Sequence, residues 1–411
     1  MAGGRGPRSP LIALLGWAVV ASCSLAASPA LPSAAHPSDQ AAATALGPVS
    51  GSPAGAPSIS PIPSPVTSAT PPPSTAPSPV TVPIEAQVGQ RLFVAMAGLT
   101  PDAGILARVG AGQVGGIILF GSNIADATQA RALTSALQTA ATAGGRPPLL
   151  IATDQEGGAI KRVSWIPPSL SPPQIGASAD AGVAREQGRQ AGAALFDLGL
   201  NMDLAPVADL SFSTASILYR QGRTFALDAD LNARLVDAFA AGLAVAGVVP
   251  VLKHFPGLGY AQHNTDTTVV TLNLTRAGMA PGLLPYQRAA TLPVVMLSNA
   301  VYTVIDPANA AGWSTAIIGG ILRGDLAFRG VTITDSLTGA AAARGTTEAV
   351  LAVRAAAAGS DLILVNGSAA SSVAVYDALL EASRDGRIPA AGLRASYDRI
   401  LALKARLPVS R

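Results

Sequence analysis

The sequence predicts an α/β protein: a single parallel (β/α)8 barrel preceded by a signal peptide and a disordered tether. Three observations predict it. From residue 84 onward, apolar runs of strand length alternate with Ala- and Leu-rich stretches of helical period, the pattern of strands packed under helices around a parallel sheet. Eight such units fit between residues 84 and 411, the count and size of a closed barrel rather than of an open, doubly wound sheet. Strand after strand also ends in a polar residue, and in a barrel these tips share one face.

The first 23 residues read as an export signal. Arg5 and Arg8 supply positive charge and Leu11 to Ala21 is apolar, too short a run to span a bilayer. Cys23, the only cysteine, follows Val20-Ala21-Ser22, and the tetrad resembles a bacterial lipobox, which implies a lipid anchor on Cys23 at the outer face of the cell membrane. The alternative is an ordinary secretory signal with a chance cysteine; either way no intrachain disulfide can form. Residues 24–83 hold 15 of the 33 prolines and one acidic or basic residue, Asp39. Such a segment buries too little apolar surface to offset its ordering entropy. Extended at about 3.1 Å per residue it would reach on the order of 190 Å, a tether that lifts a domain off a membrane.

In chain order the expected strands are Leu92–Ala97, Gly116–Phe120, Leu149–Thr153, Asn201–Pro206, Val248–Leu252, Pro293–Leu297, Val331–Thr334 and Leu362–Val365. Ala127–Thr142, Val183–Leu198, Leu231–Ala246, Thr346–Ala358 and Ser371–Ser383 carry small or aliphatic residues on one face, as helices lying on a barrel do. Asp228 and Asp230 open one helix, and Asp385-Gly386 closes another. Asp154 follows the third strand, Asp203 and Asp209 lie in and after the fourth, and Lys253-His254 follow the fifth. Asn299, Asp335 and Asn366 follow the sixth, seventh and eighth. One such residue marks where a strand leaves the core; six tips together point to a site.

The fifth strand ends Lys253-His254-Phe255-Pro256-Gly257, which resembles the signature of family 3 glycoside hydrolases, in particular their single-domain β-N-acetylglucosaminidases. The run Thr153-Asp154-Gln155-Glu156-Gly157-Gly158-Ala159-Ile160-Lys161-Arg162 resembles that family's third-strand motif. The resemblance implies that Asp154 and Arg162 hold sugar hydroxyls, a carboxylate accepting and a guanidinium donating. Gln221-Gly222-Arg223-Thr224-Phe225 resembles the segment whose arginine binds substrate. This points to Arg223, with Arg220 as a rival. Lys253 and His254 match the family's substrate-binding pair, although Lys253 could instead pair with Asp203 or Asp154. Asp335, in Thr334-Asp335-Ser336-Leu337, falls where the family carries its nucleophile, a carboxylate suited to an oxocarbenium-like transition state and then to a covalent bond.

The resemblance breaks in the loop after the fifth strand. Leu258 stands where relatives have a histidine, and His263-Asn264-Thr265-Asp266 replaces a loop ending Asp-Ser-His that supplies the acid/base pair. Asp266 alone as acid/base, a dyad of His263 with Asp266, and a loop that binds sugar without cleaving it are all open readings. Asn299 likewise stands where relatives often carry a histidine.

Charged residues make up 12% of the chain, net +3, with no Lys/Arg cluster, which argues against a nucleic-acid footprint. What the resemblance and the address imply together is a monomeric, lipid-anchored glycosidase. It would remove terminal β-linked N-acetylglucosamine, from cell-wall peptidoglycan fragments, without metal or cofactor. A carbohydrate-binding lipoprotein on the same barrel, a β-glucosidase, and an aldolase-like barrel with a Schiff base on Lys253 are the alternatives.

Overall fold

The computed structural model describes residues 82–288 and 293–408; the export signal, Cys23 and all but the end of the tether lie outside them. Eight strands build the main sheet: β1 (Leu92–Ala95), β2 (Gly116–Ile118), β3 (Leu150–Thr153), β4 (Met202–Asp203), β5 (Val249–Phe255), β6 (Val294–Leu297), β7 (Val331–Thr334) and β8 (Ile363–Val365). Neighbours in sequence are parallel neighbours in space from β1 to β7, and β8 pairs with β1 in the register Leu92–Ile363. The ring closes at β7–β8, where Thr334 N–H donates to Leu362 O at 3.0 Å and Leu362 N–H to Thr332 O at 2.8 Å.

Side chains alternate across the strands, and both faces are buried, as a parallel sheet under helices requires. Phe93, Ile118, Leu150, Met202, Val251, Val294, Ile333 and Leu364 fill the barrel interior. Leu92, Ile117, Ile151, Leu252, Val295 and Ile363 face the helices. The five expected helices are present as Ala127–Ala143, Ala181–Asp197, Ala229–Val245, Glu348–Ala358 and Ala369–Arg384. Asp126, Asp180, Asp228, Thr347 and Ser368 cap their first turns by accepting backbone N–H groups. Ala181–Asp197 and Ala229–Val245 touch through glycine: a Cβ on Gly188 would lie 2.2 Å from Phe239 O.

Two differences from expectation bear on the site. β5 does not end at Leu252 but runs through Lys253 and His254 to Phe255, because Ser298 N–H donates to Phe255 O at 2.9 Å and keeps it paired with β6. β4 shrinks to Met202–Asp203, although the chain beyond still follows β5, with Val251 N–H donating to Ala205 O at 2.9 Å. Helices not anticipated include Arg276–Arg288, which holds Pro281 and Pro285, and Leu337–Ala343.

Candidate active site

At the C-terminal ends of the strands lies a cavity of about 250 Å³. Asp154, Arg162, Arg223, Lys253, His254, His263, Asp266 and Asp335 line it, together with Glu156, Asn264 and Asn366. Asp203, Asp209 and Asn299 do not line it; they lie buried beneath.

One wall is a closed set of ion pairs. Gln155–Gly157 and Ile160–Lys161 form an antiparallel hairpin after β3. Gly157 (φ +97°) and Gly158 (φ +59°) make its turn, so their freedom serves the chain reversal. Residues two apart share a face of an extended chain, and Asp154 and Glu156 both meet Lys253: Nζ is 2.7 Å from Asp154 Oδ1 and 2.6 Å from Glu156 Oε1. Arg223 grips Glu156 with both arms of its fork, Nε to Oε2 at 2.9 Å and Nη2 to Oε1 at 2.8 Å. Burial pushes the Glu156 carboxyl up, but Lys253 and Arg223 outweigh it and hold its pKa at about 2. Burial likewise opposes the charge on Lys253, and Asp154 and Glu156 overcome it, raising its pKa. An ammonium so held is no amine nucleophile, which removes the aldolase-like reading. Arg220 does not reach the cavity; its Nη2 donates to Gln262 O at 2.7 Å.

Beneath this wall Asp203 accepts the N–H of Gln155 at 2.9 Å through Oδ1, while Oδ2 has no partner. Burial pushes its pKa to about 8, and Asp154 and Glu156 add to the rise. Asp209 holds His254 twice, from Nδ1 at 2.7 Å and from the backbone N–H at 3.0 Å, and also accepts from Leu258 N at 2.5 Å. With Nδ1 committed, Nε2 of His254 is the ring atom left for a ligand. Successive strand residues normally point opposite ways, yet Lys253 and His254 both line the cavity; the peptide between them is cis. Arg162 lies 5.8 Å over the Phe120 ring, and its Nε, 3.6 Å from Asp154 Oδ2, makes no hydrogen bond.

The opposite side holds two carboxyls without cations. Asp335 follows β7, and its Oδ1 accepts the N–H of Ser336 at 2.7 Å. Asn299 Nδ2 donates to Ser336 O at 2.8 Å and Ser336 Oγ to Asn366 Oδ1 at 2.6 Å, which ties the tips of β6, β7 and β8 together. Asp266 reaches the cavity from the loop after β5, where Asn264 Oδ1 accepts its N–H at 3.0 Å. Its lip of the cavity is open to solvent, but protein atoms crowd the carboxyl and the Asp335 charge adds to their effect, raising its pKa to about 6. Both His263 and Asp266 line the cavity, and among the described residues no ion pair or hydrogen bond joins them.

Sequence reasoning passed over Glu156 and the clasp role of Asp209. For Glu156 a signal was present: it stands two residues after Asp154, on the same face of an extended segment.

Residues 84–403 match the description "Glycosyl hydrolase family 3 N terminal domain". An Arthroderma benhamiae protein described as an uncharacterized secreted glycosyl hydrolase is 32% identical over 80% of the chain and 95% of its own length. A Pseudomonas aeruginosa beta-hexosaminidase is 34% identical over 65% of the chain and 79% of its own length. Among solved structures, the family 3 beta-N-acetylglucosaminidase of Paenibacillus sp. str. FPU-7 superposes with a TM-score of 0.76 at 32% identity, covering 79% of the chain; the chain spans 63% of that longer protein. The match begins at the helix before β1 and ends in the last helix, so no strand of the barrel falls outside it, and the chain belongs to glycosyl hydrolase family 3.

Proposed function

We propose that the protein removes terminal β-linked N-acetylglucosamine with retention of configuration, using Asp335 as nucleophile and Asp266 as acid/base. The observation that carries this reading is the pair itself: two carboxyls at one cavity, one of them, Asp266, raised to about 6. A carboxyl raised in pKa at the same cavity as a second carboxyl suits the acid of such a pair. In the first step an Asp335 oxygen bonds to the anomeric carbon, the bond to the leaving oxygen breaks, and Asp266 gives that oxygen its proton. Asp335 is then an ester and uncharged. The part of the Asp266 rise that came from the Asp335 charge is gone, and its carboxylate is the base that takes a proton from water as the water displaces the ester. Arg162, Arg223, Lys253, His254 and Asp154 supply the donors and acceptors that grip the sugar hydroxyls. The sugar is read from the relatives called beta-hexosaminidase and beta-N-acetylglucosaminidase.

Export supports an extracellular substrate, and peptidoglycan fragments fit an enzyme tethered through a lipid on Cys23. One relative is described as secreted. The test is turnover of an activated aryl N-acetyl-β-glucosaminide by the full chain, with Asp335→Asn as the blank. Turnover lost in the blank is the expected result. Absence of turnover with sugar binding retained would make the protein a carbohydrate-binding lipoprotein instead, and turnover of the glucoside in preference would make it a β-glucosidase.

A further inference from the structure

We propose that Gly339 is a positioning residue: the space left by its missing side chain seats the Asp266 backbone against the helix that follows the nucleophile. This rests on Asp266 being the acid/base. Gly339 lies in the first turn of Leu337–Ala343, four residues after Asp335. Its φ is not positive, so the backbone there does not require glycine. Helix propensity favours alanine at such a position, and Ala340 to Ala343 are all alanine. What requires glycine is contact. A Cβ on residue 339 would stand 2.6 Å from Asp266 O and 2.8 Å from both its Cα and its Cβ, well inside the roughly 3.5–4.0 Å at which carbon atoms rest. Two of those three atoms are main chain, so no change of rotamer relieves the clash.

The loop is anchored on the side before Asp266. Ile217 N–H donates to Ala261 O at 2.8 Å, Arg220 Nη2 to Gln262 O at 2.7 Å, and the Phe212 and Tyr260 rings stack with centroids 3.8 Å apart. Between these anchors and Asp266 the chain is wound into a turn by Asn264, whose side chain accepts from Asp266 N and whose carbonyl accepts from Thr267 N and Thr268 N. A methyl group on residue 339 therefore moves the Asp266 carboxyl itself. The charged groups that act on that carboxyl are Asp335 after β7, His254 in β5, Arg223 after β4 and Asp154 after β3; His263, on the same loop, also lines the cavity.

The experiment compares Gly339→Ala, Asp266→Ala and the double variant with wild type on two N-acetyl-β-glucosaminides, one with an activated aryl leaving group and one with an alkyl leaving group. Gly339→Ala is expected to lower kcat/KM on the alkyl substrate by at least about tenfold, part of the 10²–10⁴ range of acid catalysis, with the activated substrate changed less than about twofold. The alkaline limb of the pH profile should move to lower pH as Asp266 leaves Asp335. In the Asp266→Ala background Gly339→Ala should add nothing. Equal losses on both substrates, or wild-type behaviour on both, would overturn the positioning role while leaving Asp266 as the acid if Asp266→Ala itself shows the leaving-group dependence. If Asp266→Ala shows none, the acid assignment fails and the role of Gly339 fails with it. Should Gly339→Ala not fold, the same change is made in a chain whose residues 263–267 are replaced by a Gly/Ser bridge. Recovery of a cooperative melt there supports the contact, and continued misfolding overturns it.

Discussion

The wall built on β3, β4 and β5 and the side built on β7 and the loop after β5 treat carboxylates in opposite ways. Glu156 and Asp154 are neutralised within the protein, Glu156 by two cations and Asp154 by Lys253 at 2.7 Å. Asp335 and Asp266 have no ion-pair partner among the described residues, and the Asp335 charge acts on Asp266. In the proposed mechanism the first arrangement is settled before any substrate arrives, so its donors stand ready for binding, while the second loses the repulsion between its carboxyls when Asp335 forms a bond.

The most damaging way to break the contrast is to remove the proposed nucleophile. Asp335→Asn should lower kcat/KM on an activated aryl glycoside by roughly 10³-fold or more, about 4 kcal/mol of barrier, with the melting temperature held. On the other wall the damage should fall on stability as well as on binding. Lys253→Met strands Glu156 and Asp154 without their shared cation and should cost about 3–5 kcal/mol in a denaturant melt, and Arg162 alone then remains beside Asp154. Asp266→Ala should cost on the order of 10²-fold on a poor leaving group and little on a good one; equal losses on both would show that it does not donate the proton.

Acid should separate the two sides by sign. Glu156 is held at about 2, below its usual 4.5, so its contribution to stability is present above that usual value and is lost as pH falls toward 2. Asp266 is raised to about 6 from 3.8. Its protonated form is the one the fold favours, so its contribution is full below 3.8 and is lost as pH rises through 6. The smallest expected effect is accordingly a fall in kcat/KM above pH 6 on a poor leaving group, absent in Asp266→Ala. A limb that survives in that variant would assign the titration to another group.

The barrel was legible because its signal is local: eight apolar runs need no partner to be recognised. Asp154, Lys253, His254 and Asp335 could be named because each sits at the end of such a run. Glu156 was passed over because its partners, Arg223 and Lys253, are far away in sequence and only barrel closure brings them to it. The extension of β5 through Lys253 and His254 ran against the reading that polarity ends a strand, since hydrogen bonding to β6 continues beneath those side chains. Arg276–Arg288 was hidden by Pro281 and Pro285, which ordinarily argue against a helix. The sequence does not single out Gly339; its place is set by Asp266 lying against it.

The order of the strands has a consequence for how the chain is made. Asp154, Glu156, Arg223 and Lys253 all precede β6, whereas Asp335 stands at the end of β7, whose hydrogen bonds to the start of β8 close the ring. A chain cut short after β6 would hold every member of the proposed sugar clasp and lack the proposed nucleophile. During synthesis, the capacity to cut would follow the capacity to grip.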